Sequence, residues 1–213
     1  MFVTFEGPEG AGKTTVLKAV ARRLEADGQR VVMTREPGEG EIGAKIRDIL
    51  LSGGDLSPAA ELFLFLADRA QHVASVIKPA LAAGAFVLCD RYSDSTLVYQ
   101  GYGRGLDLET LRGLNQLATG GLTPDLTLLL DLDPELGLAR LSLDKMDRMD
   151  RESIEFHRKV RDGFLREAKR EPARWRVIDA AVPIAGVILA CCQEVEAAAA
   201  IVGCLQARSL EAN

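Results

Sequence analysis

Residues 2–14 read Phe2-Val3-Thr4-Phe5-Glu6-Gly7-Pro8-Glu9-Gly10-Ala11-Gly12-Lys13-Thr14. A short aromatic and β-branched run leads into G-x-x-x-x-G-K-[ST], and helix-forming residues follow. In that setting the glycines let backbone N–H groups turn inward around phosphate oxygens. Lys13 puts a point charge against the β and γ phosphates, and the Thr14 hydroxyl can ligate Mg2+. The stretch from Gly7 to Thr14, with Thr15 after it, predicts a bound nucleoside triphosphate. It does not say what is done with it.

Working outward, β-rich runs at 2–6, 30–34, 85–90, 126–131 and 176–178 alternate with longer helical stretches. Phe86-Val87-Leu88-Cys89 and Leu128-Leu129-Leu130 are almost continuously apolar, as strands of a parallel sheet covered on both faces are. Helices are predicted over 13–27, 59–83 and 107–117, closed by Gly28, Gly84 and the Gly120-Gly121 pair. Pro58 after Ser57 and Pro134 after Asp133 mark helix starts. The alternation predicts an α/β, P-loop NTPase-type doubly wound sandwich, a parallel sheet flanked by helices. Glu6, Asp90 and Asp131 fall at carboxyl ends of predicted strands, where such sheets collect their ligands.

At 213 residues, 47% hydrophobic and 27% charged, the chain has the composition of one globular domain spanning 1–213. Its net charge of −5 argues against a nucleic-acid partner and for a nucleotide or a protein surface. Cys89, Cys191, Cys192 and Cys204 form no C-x-x-C pair, so neither zinc nor a disulfide framework is expected and a reducing, cytoplasmic setting is. Met1 runs straight into a strand without the basic stretch of a secretory signal. The apolar stretch 182–205 is broken by Gln193, Glu194 and Glu196, and reads as an Ala-rich buried helix with no membrane role. Residues 142–151, with Asp144, Lys145, Asp147, Arg148, Asp150 and Arg151, read either as a solvated surface loop or as a lid.

Three further segments carry chemistry. Asp90 ends a strand beside the phosphate loop, where a carboxylate can hold Mg2+ through water, and Arg91 next to it can grip a phosphate with a bidentate fork. Arg35, in Thr34-Arg35-Glu36-Pro37-Gly38, offers a second fork. Two arginines facing a triphosphate site point to a second phosphorylated ligand, the phosphoryl acceptor. Phe65 and Arg69 are four residues apart on one helix face, a ring and a guanidinium that together could recognise a nucleobase. Core packing for Phe65 and a surface or salt-bridge role for Arg69 are the plainer alternatives.

Phe5-Glu6-Gly7-x-Glu9-Gly10-Ala11-Gly12-Lys13-Thr14-Thr15, Thr34-Arg35-Glu36-Pro37-Gly38, Asp90-Arg91-Tyr92-x-x-Ser95-x-x-x-Tyr99-Gln100-Gly101 and Asp147-Arg148-Met149-Asp150-x-Glu152 resemble, in order, the motifs of the thymidylate kinases. The resemblance runs to about residue 180. It implies a five-stranded nucleoside monophosphate kinase fold, a homodimer, and Mg2+-dependent transfer from ATP to dTMP giving ADP and dTDP. By position it implies that Phe65 stacks on thymine and Arg69 donates to O4. Thr96 and Gln100 would meet the base edge, Tyr99 would pack near C2′, and Glu9 would accept from the 3′-hydroxyl. Arg35 and Arg91 would hold the dTMP phosphate with Ser95 in the same motif. Arg140, with Ile178-Asp179-Ala180, would border adenine.

Two departures from the family pattern stand out. Gly10 occupies the place where some members carry an arginine, and members without it place basic residues in the lid. Lys145, Arg148 and Arg151 are the candidates here, with Arg148 the first choice for charge on the transferring phosphoryl group, alongside Lys13 and Arg91. Glu39, in Gly38-Glu39-Gly40, brings an unexpected negative charge near the acceptor phosphate. Another pyrimidine nucleoside monophosphate or deoxynucleoside kinase is the nearest alternative. A P-loop GTPase would carry an Asn-Lys-x-Asp guanine reader, which the sequence lacks.

Overall fold

The computed structural model describes residues 1–52, 54–142 and 146–211, with side chains described up to residue 201. Five strands, β1 (Phe2–Glu6), β2 (Val31–Arg35), β3 (Phe86–Asp90), β4 (Leu126–Asp131) and β5 (Trp175–Asp179), form one sheet in the order β2-β3-β1-β4-β5. Every pairing is parallel, with Phe5 beside Asp90 and Glu6 beside Leu129 in the register. The predicted strands hold to within a residue or two at their ends. Because β1 lies at the centre, its C-terminal loop opens between the ends of β3 and β4, where the order reverses and ligands bind.

Both faces are covered, as the continuous apolar strands require. On one face Val3, Phe5, Leu88, Leu128 and Leu130 pack on Val16, Leu17 and Val20 of α1 (Lys13–Ala26) and on Val187, Cys191 and Val195 of the last helix. The other face divides. Phe2, Val87 and Cys89 meet Val73, Ile77 and Tyr92, while Leu129 and Trp175 meet Phe156, Val160 and Phe164. The predicted helix 59–83 is α3 (Pro58–His72), a π-helical turn Val73–Ile77, and α4 (Lys78–Ala82). Ser57 Oγ caps it by accepting from Ala60 N–H, and Gly84 (φ 74°) follows it.

Two helices were not anticipated: α2 (Gly40–Ser52) and α8 (Ile154–Arg170), the latter capped by Ser153. After β3, α5 (Ser93–Thr96) runs directly into a π-helical segment, Leu97–Gly103. α6 (Leu108–Thr119) is capped by Asp107 and stopped by left-handed Gly120, and α7 (Pro134–Ala139) is capped by Asp133. The last helix, α9 (Ile184–Glu211), departs from the expected buried helix. Val187, Cys191 and Val195, spaced four apart, form a single buried stripe, while Leu189 and Ile201 are each 60% exposed. Residues Ile184–Ile201 are long and apolar enough to cross a membrane by length and composition, but the helix is instead seated on α1 and β5 along that stripe.

Candidate active site

The phosphate loop is shaped by close backbone approach. A Cβ on Gly7 (φ 141°) would collide with the carbonyl of Leu130, and one on Gly10 (φ 69°) with the carbonyl of Gly137 in α7. Gly137 is restricted in return by the carbonyl of Glu9. Gly10 is therefore fixed by both conformation and space, and the backbone of this chain leaves no room there for a side chain. Gly12 (φ 88°) turns the chain into α1 without a side-chain cap, leaving the first helical N–H groups directed at the loop's interior. Lys13 Nζ donates to the carbonyls of Gly7 (3.0 Å) and Pro8 (2.9 Å), and burial followed by the charge of Arg91 lowers its pKa.

Beside the loop, Thr14 Oγ1 donates to Asp90 Oδ2 at 2.5 Å. Among the described residues no three His, Cys, Asp or Glu side chains converge as a protein-only metal cage. A hydroxyl and one carboxylate are hard oxygen donors that suit Mg2+, a cation that keeps waters and shares phosphate oxygens. Arg91, at φ 68°, is the non-glycine with left-handed backbone among the described residues. It is held there by its N–H to Phe5 O (3.0 Å) and by its guanidinium, which donates to Glu9 Oε2 (2.7 Å) and Ser95 Oγ (3.2 Å). Burial works against its charge, but Glu9 foremost among its neighbours raises the pKa far beyond the ordinary range.

Glu9 bridges the two halves of the site. It accepts from Arg91 through one oxygen and from the Tyr99 hydroxyl (2.5 Å) through the other. Burial alone would raise its pKa, yet Arg91 and Lys13 bring it down to about 2. Beneath the Arg91 turn lies Glu6, fully buried, accepting from Tyr92 N–H (2.8 Å) and Ser95 Oγ (2.6 Å). Burial and then Asp94 push its pKa up to about 7. Asp131, the third strand-end carboxylate, does not join the site. It pairs bidentately with Arg161 of α8 (2.7 and 2.9 Å) and serves packing.

These groups line one cavity of about 350 Å3. Its wall brings the loop residues Glu9, Gly10, Gly12, Lys13, Thr14 and Thr15 together with Arg35, Phe65, Arg69, Asp90, Arg91, Ser95, Thr96, Tyr99 and Gln100. Gly7, Pro8 and Ala11 complete the loop behind it. Phe65 is half-buried and belongs to no core cluster among the described residues, so packing does not account for it. Arg69 is 1% exposed; Nε donates to Glu36 (2.8 Å), Nη1 to Thr96 (2.8 Å) and Asn115 (2.7 Å), and Nη2 to the Tyr92 carbonyl (3.1 Å). Of the five N–H bonds of a guanidinium, these partners leave one, on Nη2, for a ligand. Arg140, at the end of α7, reaches the carbonyls of Gly10 (3.3 Å) and Ala180 (3.4 Å), joining the loop to the segment after β5.

Arg148 departs from expectation. It does not line the cavity: Nε donates to the Leu50 carbonyl (3.0 Å) and Nη2 to buried Glu61 (2.5 Å), so its charge is spent on α2 and α3. Arg151 is exposed on the same turn, and Lys145 lies outside the described residues. Glu39 is half-buried and off the cavity wall, and nothing in the structure explains its charge. Arg47 of α2 is a cavity residue that the sequence reading missed; it donates to Pro37 O (2.9 Å), and burial, then Arg35, lowers its pKa. Its signal was a basic residue on an unrecognised helix.

With this geometry in place, comparison with known proteins is decisive. The family model for thymidylate kinase matches residues 5–188. The chain belongs to the thymidylate kinase family. It is 54% identical over 207 residues to the thymidylate kinase of Desulfovibrio desulfuricans, covering 92% of this chain and 95% of that one. It is 57% identical to the thymidylate kinase of a Synechococcus strain, covering 84% of this chain and 87% of that one. The crystal structure of thymidylate kinase from Ehrlichia chaffeensis matches with a TM-score of 0.77 at 36% identity, covering 92% of this chain and 98% of that one. The family match extends several residues past 180, into the start of α9.

Proposed function

We propose that the site holds both nucleotides of the thymidylate kinase reaction end to end, the cavity taking dTMP and the phosphates of ATP, with adenine outside it towards Arg140. The activity is that of a phosphotransferase of nucleotide biosynthesis, moving the γ-phosphoryl group of ATP to dTMP to give ADP and dTDP. The observation that carries the two-substrate reading is the single wall joining Lys13 and Thr14 to Arg35, Phe65, Arg69 and Arg91.

Lys13 and the loop amides receive the triphosphate, Lys13 exchanging the carbonyls of Gly7 and Pro8 for phosphate oxygens. Thr14 and Asp90 would hold Mg2+, which would supply positive charge to neutralise the phosphates. Arg35 and Arg91 hold the dTMP phosphate. Phe65 stacks on the base, the last N–H of Arg69 donates to O4, and Thr96 and Gln100 read the remaining edge. Tyr99, fixed by Glu9, packs against C2′, and Glu9 accepts from the 3′-hydroxyl while keeping Arg91 aligned. Arg140 and Ala180 border adenine.

The acceptor phosphate is already ionised at neutral pH, so no general base is required. Alignment and charge neutralisation carry the rate, and residues 142–151 act as the lid that excludes water. Since Arg148 is anchored away from the cavity, Arg151, exposed and likewise off the cavity wall, is the remaining described lid cation to supply charge to the transferring group. A homodimer is supported by Phe63 (61% exposed), Leu117 (80%), Ile42 and Ile49, apolar side chains left uncovered on α3, α6 and α2 where α3 packs between the other two. A cytoplasmic setting is supported by the unpaired thiols of Cys89, Cys191 and Cys192.

The test is turnover of dTMP, dUMP, dCMP and UMP with ATP and Mg2+. The highest kcat/KM is expected for dTMP, and a preference for UMP would overturn the acceptor assignment.

A further inference from the structure

Glu61 lies in the first turn of α3, one turn before Phe65, and is 1% exposed. It does not line the cavity, yet its carboxylate gathers Gln100 Nε2 (2.9 Å), Arg104 Nε and Nη2 (both 3.3 Å) and Arg148 Nη2 (2.5 Å). Arg104 continues to Glu152 (2.6 Å), so two guanidiniums and two carboxylates balance one another. Burial alone would push the Glu61 pKa up, but the hydrogen bonds from Gln100, Arg148 and Arg104 hold it below its ordinary value.

An ionised carboxylate can only accept hydrogen bonds. The amide nitrogen of Gln100 must therefore face Glu61, because the reverse orientation would set oxygen against oxygen in a buried site. That orientation turns Gln100 Oε1 away from Glu61. Among the described residues Gln100 bonds the protein through Nε2 and Oε1 receives no hydrogen bond, and Gln100 lines the cavity together with Phe65, Arg69 and Thr96.

We propose that Glu61 is a specificity-determining positioning residue, which locks the Gln100 amide so that the site shows the base an acceptor beside the Arg69 donor. The inference rests on the reading above, in which the base lies over Phe65 with O4 on Arg69. Thymine and uracil carry an N–H between two carbonyls, and that N–H meets Oε1. Cytosine carries a ring lone pair there and an amino group in place of O4, so it opposes Oε1 with a lone pair and Arg69 with N–H bonds. The same carboxylate anchors Arg148, fastening the end of the lid to the residue that fixes the base reading.

The experiment compares kcat/KM for dTMP with kcat/KM for dCMP in the wild type, Glu61→Gln, Gln100→Ala and the double variant. A neutral amide at 61 can donate as well as accept, which frees Gln100 to turn over. Glu61→Gln is expected to lower the dTMP-to-dCMP ratio by about tenfold or more, and to have no further effect on it once Gln100 is Ala. Glu61→Asp, which keeps the charge for Arg104 and Arg148 but draws the carboxylate back, is expected to lower the ratio as well, and serves if Glu61→Gln does not fold. An equal loss on both nucleotides with the ratio unchanged overturns the proposal and leaves the dTMP site standing. A wild-type enzyme without preference for dTMP over dCMP overturns the site reading instead.

Discussion

At the scale of single residues, buried carboxylates divide by what surrounds them. Glu9 has Arg91 and Lys13 beside it and stays ionised down to about pH 2, which suits a group that holds the Arg91 guanidinium. Glu6, at the end of β1 before the loop that carries Glu9, has only neutral donors in contact, and burial lifts its pKa to about 7. The sign follows from linkage. A carboxyl whose folded pKa is raised contributes stability that is complete below its unfolded pKa near 4.5 and is lost as pH rises through 7. Unfolding free energies of the wild type and Glu6→Gln, measured from pH 5 to 8, should therefore shift in the variant's favour as pH rises, by on the order of 2 kcal/mol across that window. A gap independent of pH would mean that Glu6 does not titrate in this window. Gly10 shows a different kind of constraint, since an absent side chain is as specific as a charge where two backbones touch.

At the scale of elements, the Asp147–Asp150 turn explains a motif whose charges first read as lid chemistry. Asp147 Oδ1 accepts from Met149 N–H (2.8 Å) and Asp150 N–H (3.0 Å), and Asp150 Oδ2 accepts from Asp147 N–H (2.9 Å). The carboxylates build the turn, and the arginine between them clamps it to α2 and α3. Arg148→Ala should accordingly raise KM for dTMP several-fold with kcat within about tenfold, while Arg151→Ala should lower kcat by roughly 10³-fold or more, the scale on which a transition-state arginine acts. Steady-state kinetics of both variants decide it. A collapse of kcat in Arg148→Ala with KM unmoved would mean that Arg148 leaves Glu61 during turnover. The π-helical segment Leu97–Gly103 likewise serves the site, carrying both Tyr99 and Gln100 on a stretch whose hydrogen bonding departs from the α-helix.

At the scale of the whole molecule, the sheet order places β1 between β3 and β4, so that one cavity receives groups from the ends of β1, β2 and β3 and from α3. If the proposed homodimer forms through the uncovered apolar residues on α2, α3 and α6, Phe63→Glu with Leu117→Glu should yield a monomer by sedimentation; an unaltered oligomeric state would move the interface elsewhere, with exposed Leu189 and Ile201 on α9 the next face to test. Strands, their parallel pairing, the phosphate loop and the Asp90-Arg91 pair were legible in sequence because they rest on local patterns: apolar runs, glycines at fixed offsets and proline or glycine at helix ends. α8 was missed although its buried Phe156, Val160, Phe164 and Ala168 recur every four residues, whereas α2, with only Gly43 and Leu50 buried, offers no such stripe. The alternatives for Phe65 and Arg69 could not be separated by spacing, since a core ring and a stacking ring look alike until one is found on a cavity wall. Sequence alone determined the fold class, the triphosphate loop and the family, all consequences of short-range order. Only the tertiary structure decided that Asp131 and Arg148 face away from the cavity, that Gly10 is held against Gly137, and that Glu61 orients Gln100. Those assignments depend on which charges and backbones meet across distant parts of the chain, and on burial that leaves each buried polar group a definite partner.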